Sequence, residues 1–168
     1  MRLEEINSLD REAFTVRLGA IAENSPWVAY GAYDYRPFAD ALELVAAFRG
    51  AVVRADRERQ VALVQEHPDL AGRAAIAGDL MEHSAREQAG AGLDRLTPDE
   101  YARFASANGT YRERFGFPFV ICVRDKTKES ILDAYDERLA HDPEIELAIA
   151  LDEIVKIMRL RIADLLAA

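Results

Sequence analysis

The chain has a single cysteine, Cys122, among 168 residues. No disulfide can close within it, which fits a reducing compartment. Its three histidines, at 67, 83 and 141, match no zinc-ligand spacing. A glycine-rich phosphate loop is missing, and so is the G-x-S-x-G elbow of serine hydrolases. Basic residues are outnumbered, 21 against 30 acidic, for a net charge of −9. That balance argues against a nucleic-acid binder or an anionic-membrane binder, both of which want a basic face. It leaves room for an anionic small molecule, because one arginine can dominate a pocket. No apolar run reaches the roughly 18 residues of a spanning helix. The segment MRLEEINSLD has no apolar core of a secretory leader, and DLLAA is not a peroxisomal address. The expected compartment is the cytoplasm. Glycine is scarce, at nine, while half the residues are hydrophobic, which excludes a disordered chain.

What is present reads as helix. The length suits one domain, residues 1–168, able to bury roughly 70% of its unfolded surface. Phe38, Ala41, Leu42, Val45, Phe48 and Val52 follow helical spacing on one face. Tyr101, Phe104, Ala105, Asn108, Tyr111 and Phe115 do so on another helix, opened by the capping box TPDE at 97–100. Ser25 and Pro26 read as a further helix start. Ile131, Leu132, Tyr135 and Leu139 mark a shorter helix, and Asp142-Pro143 opens a long last one to about Leu166. The exception is FPFVICV, 117–123. It is apolar and β-branched, with no second strand to pair with, so the expectation is a buried extended segment in an all-α single-domain bundle. Its backbone groups need partners, and these are either core neighbours or a ligand.

Three stretches can carry chemistry. In EHPDL, 66–70, the proline disfavours α conformation at His67, which places that imidazole at or just past a helix end. The partial negative charge there favours a protonated ring, held either as a plain helix stop or as a tuned acid/base. In SAREQ, 84–88, Ser84 and Glu87 fit a capping box. The same helix start also offers amides to an anionic or carbonyl ligand, and Glu87 can orient an imidazole. Gly90 and Gly92 weaken this helix and permit close backbone approach. In the last helix, Arg161 shares the apolar stripe of Ile154, Ile157, Met158 and Leu165, whereas Arg159 lies with Asp152, Lys156 and Ala163. A buried guanidinium must be paired, either with an acidic side chain or with a substrate carboxylate or imide that its fork matches. Metal-free acid/base chemistry, or no chemistry, is what remains.

Five segments in order, ENSPWVA at 23–29, EHPDLAGR at 66–73, SAREQAGAGL at 84–93, FGFPFVICV at 115–123 and RLR at 159–161, resemble the motifs of the 2-oxo-4-hydroxy-4-carboxy-5-ureidoimidazoline (OHCU) decarboxylases. The resemblance runs over almost the whole chain. It implies an all-α enzyme, commonly a homodimer, acting on a small anionic ureido-imidazoline to give (S)-allantoin in urate degradation. It implies His67 as catalytic acid/base and Glu87 as its partner. Ser84, Gln88 and Arg161 are then substrate-binding, and Pro68 with Phe119, Val120, Ile121, Cys122 and Val123 lines the pocket. That family's substrate carries its own electron sink, so no metal and no cofactor are expected. The rival readings are a helical binding module without catalysis, and an acid/base isomerase or hydrolase of a related ureido ring.

Overall fold

Short polar side chains start most of the helices. Asp10, Asp40 and Asp56 each accept the amide three residues on, at 2.8, 2.9 and 2.9 Å, satisfying donors that no helix can pair internally. They open α2 (Arg11–Leu18), α4 (Ala41–Arg54) and α5 (Arg57–Gln65), while α1 spans Leu3–Ser8 and α3 spans Pro26–Ala32. Next come α6 (Glu82–Gly90), α7 (Pro98–Phe115), α8 (Lys128–Arg138) and α9 (Pro143–Ala167). This computed structural model describes residues 1–72, 75, 77–78 and 80–167. Arg73, at the end of the EHPDLAGR motif, lies outside the described residues. Among the described residues there is no strand, and no helix is long and apolar enough to cross a membrane. The all-α expectation holds.

The chain forms two compact units. The first comprises 1–66 and 154–168. Its core is built on Phe14, with ring contacts to Phe38 at 6.2 Å and Phe48 at 6.4 Å and an edge contact to Tyr33 at 5.6 Å. Ile154, Ile157, Met158 and Ile162 of α9 are buried here. On α4 the buried face is Leu44, Ala47, Phe48, Ala51 and Val52. Leu42 is 73% exposed, so its expected place in the stripe is wrong. Phe38 is buried, but from the turn before Asp40 caps α4. One intervening turn breaks the helical phase between them.

The second unit comprises 67–153. Phe104, Asn108 and Tyr111 of α7 are buried, as their spacing predicts, whereas Ala105 is exposed. Thr97 and Glu100 form the expected capping box, the Glu100 carboxylate accepting from the Thr97 amide at 2.8 Å. At the other end Gly116 takes φ 77° and its amide closes on the Arg112 carbonyl at 2.8 Å. This left-handed cap releases the chain into 117–123, which is neither helix nor strand and is buried throughout except at half-buried Cys122.

Candidate active site

His67 follows α5 by two residues and is 5% exposed. A charged or polar ring buried to that degree is costly unless it is held, and the turn that bears it is held firmly. The Asp69 carbonyl accepts the Gly72 amide at 3.3 Å, and Ala71 adopts φ 50°. Gln88 of α6 reaches back to this turn: its Oε1 accepts the Ala71 amide at 2.9 Å, and its Nε2 donates to the Asp69 carbonyl at 3.4 Å. From α7, Asn108 Nδ2 donates to the Leu70 carbonyl at 2.9 Å. Arg112 Nε donates to both Asp69 carboxylate oxygens, at 2.9 and 3.2 Å. Two helices thus fix the backbone immediately after the imidazole.

The α6 helix starts one turn earlier than the capping-box reading requires. Met81 is its first flanking residue and Ser84 is its third helical residue, so Ser84 is not a cap. The S-x-x-E spacing recurs inside helices, and here it places Ser84 and Glu87 on neighbouring turns of one face. From Ala85 onward the amides are spent inside the helix, beginning with Ala85 to the Met81 carbonyl at 2.9 Å. The backbone of 85–88 therefore has no amide to lend a ligand, and what this helix presents is side chains. Ser84 and Gln88 are both buried, at 5% and 4% exposure. The helix ends at Gly90, and Gly92 follows at φ 76°. A cavity of about 350 Å³, in the size range of small-molecule sites, borders Gln88 with Ala85, Ala89 and Leu93.

The 117–123 segment is clamped by polar side chains. Arg138 of α8 donates to the Val120 carbonyl at 2.7 Å, and Glu153 of α9 accepts the Cys122 amide at 2.8 Å. Arg138 is itself paired with fully buried Glu146 at 2.7 Å, which also accepts from the Tyr111 hydroxyl and meets His141 Nδ1 at 2.9 Å. Burial pushes the Tyr111 phenol well above its ordinary pKa, reinforced by its bond to Glu146. Phe119 lies stacked on Tyr135 with centroids 3.7 Å apart, and the Arg138 guanidinium sits 4.3 Å from the Phe119 ring centre. So part of what 117–123 needs is supplied by the core. Burial raises the Cys122 thiol above its usual pKa, and the Glu153 and Glu87 carboxylates add to that, opposed by a bond at the Arg124 backbone. Such a thiol stays protonated at neutral pH and is a poor nucleophile.

His67, Pro68, Ser84, Glu87, Gln88 and 119–123 all belong to the second unit, and Arg161 belongs to the first. Arg161 is buried as its helical phase predicts, at 2% exposure. It donates to Glu23 at 2.7 Å and to the Ile21 and Ala20 carbonyls at 3.2 and 3.4 Å. The acidic core partner, one of two open alternatives, is thus present. Sequence reasoning passed over Asn108, Arg112 and Arg138 as supports of the site. Asn108 stood on the buried face of α7, and a polar residue in an apolar stripe was the available signal.

A family model described as OHCU decarboxylase matches residues 7–163. A relative in Haloferax volcanii named 2-oxo-4-hydroxy-4-carboxy-5-ureidoimidazoline decarboxylase is 42% identical over 98% of this chain and 95% of its own length. One of the same name in Mus musculus is 39% identical over 100% and 94%. A crystal structure of (S)-allantoin synthase superposes with TM-score 0.77 at 28% identity, covering 98% of this chain. The present chain spans 54% of that one.

Proposed function

The chain belongs to the OHCU decarboxylase family and is a decarboxylase, and from that premise we propose that it converts the ureidoimidazoline to (S)-allantoin with His67 as general acid/base. The substrate carbon that loses CO₂ bears a hydroxyl and adjoins a ring C=N. When the C–CO₂ bond breaks, its electron pair forms a C=C bond and displaces the C=N pair onto nitrogen, which takes a proton. The resulting enol returns to a ketone as its hydroxyl gives up a proton and the ureido-bearing carbon gains one on a single face. His67 moves these protons, Glu87 orients the ring, and Ser84 and Gln88 hold the heterocycle beside Pro68 and the 119–123 backbone. Proton transfer of this kind is worth about 10²–10⁴-fold, and fixed orientation adds to it. In this reading residues 1–168 act as one catalytic domain, in the cytoplasm and as a homodimer, the last testable by sedimentation.

The observation that supports it best is the burial of His67 on a turn tied down from two helices. The test generates 5-hydroxyisourate enzymatically, adds its hydrolase, and follows chiral allantoin by circular dichroism. The wild type accelerates the (S) isomer over the racemic background, and its failure to do so overturns the reading. His67→Asn keeps the fold and loses about 10²-fold or more in kcat. Near-wild-type turnover would remove the imidazole from the mechanism.

A further inference from the structure

We propose that Asn108 and Tyr135 are positioning residues for the decarboxylation site, forming a buried side-chain bridge that sets the His67–Ala71 turn against the Phe119–Val123 segment. Asn108 is 7% exposed and Tyr135 1%. The Tyr135 hydroxyl donates to Asn108 Oδ1 at 2.5 Å, and Asn108 Nδ2 donates to the Leu70 carbonyl at 2.9 Å. The first bond fixes which way the amide faces, since Oδ1 is occupied by the phenol and Nδ2 must point at Leu70. The Tyr135 ring then carries the connection onward, stacked at 3.7 Å and 19° on Phe119. Arg138 closes it, lying over Phe119 and donating to the Val120 carbonyl. Every step joins two residues of the second unit. Burial keeps the phenol protonated, its pKa held well above the ordinary value, so the donor is constant across the working pH range.

Core packing alone does not call for this arrangement. A leucine and a phenylalanine would fill the same space on α7 and α8 with no buried polar atoms to satisfy. What the polar pair adds is direction. It ties three elements, the turn after His67, α7 and α8, into one hydrogen-bonded register, and the stack on Phe119 extends that register to the segment read as the pocket wall. A displacement of about 1 Å at a reacting group costs roughly 10²-fold in rate, which is the scale at which such a register matters. The proposal rests on the assignment of His67 as the acid/base.

Tyr135→Phe removes one hydroxyl and leaves the stack in place, and Asn108→Ala removes both bonds. The stereospecific assay is run on both and on the double variant, with thermal unfolding alongside and the His67 ring Hε1 resonance followed by NMR across pH. Tyr135→Phe is expected to lower kcat about 5–10-fold with KM within about threefold, and Asn108→Ala to lower kcat about 10–100-fold. The double variant stays within about threefold of Asn108→Ala, because the bond that Tyr135→Phe removes is already lost there. The His67 resonance shifts in each. If Tyr135→Phe keeps kcat within twofold and leaves that resonance unmoved, the bridge is only packing and the proposal is overturned, whatever happens to stability. Should Asn108→Ala not fold, Tyr135→Phe decides alone. Should the wild type show no stereoselective rate, the (S)-allantoin reading falls, and the His67 resonance still decides the bridge.

Discussion

Gly116 shows what one residue contributes. It stands at φ 77°, and nothing would meet an added Cβ. The cost of Gly116→Ala is therefore backbone conformation alone, about 1–2 kcal/mol. In a chain of this size each kcal/mol lowers Tm by roughly 2–4 °C, and Gly116→Asn should recover part of the loss because asparagine tolerates this region. Thermal unfolding of the two variants checks both statements. Ala71 and Glu23 also stand at positive φ, each at 50°, without being glycine. Such positions cost of order 1–3 kcal/mol and persist only where surroundings impose them. Ala71 is held by its amide on Gln88, and Glu23 by its carboxylate on Arg161. Gly116 is legible in the sequence as a helix stop. Ala71 is not, because its conformation is imposed by a side chain 17 residues away.

Among the elements, α7 follows its local sequence signals and α6 departs from them. The Thr97 box forms because Pro98 cannot donate and the Thr97 hydroxyl and Glu100 carboxylate answer each other's amides. Thr97→Ala should cost about 1 kcal/mol. The Glu100 carboxyl lies below its usual pKa, first because of the Thr97 amide and then because of Lys128, whose ammonium is 3.0 Å away. A depressed carboxylate pKa contributes stability that is present above the unfolded value and is lost as pH falls through the folded one. Glu100→Gln should therefore lie furthest below the wild type in Tm near neutral pH, and the gap should close below about pH 4, where the free carboxyl takes its proton. A gap that does not change with pH would remove the charge from the account. In α6 the S-x-x-E spacing pointed to a cap where there is a helix interior. The periodicity of side chains places residues on a common face, but it does not say where the first turn begins.

At the scale of the molecule, each unit buries an arginine against a glutamate, Arg161 with Glu23 and Arg138 with Glu146. Charges this deep are tolerated only when paired. Arg161→Leu takes away the cation that Glu23 faces, and a loss of about 3–5 kcal/mol in urea unfolding is expected. Arg161→Lys keeps the charge but not the fork. If Arg161 also binds substrate, Arg161→Lys raises KM well beyond what its stability explains, whereas an unchanged KM assigns the residue to the ion pair alone. Helix content, the buried phase of Arg161, the place of His67 past α5 and the non-helical run at 117–123 were all determined by the sequence, because each follows from local spacing and backbone stereochemistry. The choice of partner for each buried polar group was decided only by tertiary structure. Glu23 for Arg161, the Leu70 carbonyl for Asn108 and the Val120 carbonyl for Arg138 lie far away along the chain, and a hydrogen bond acts over about 3 Å of space, whatever the separation in sequence.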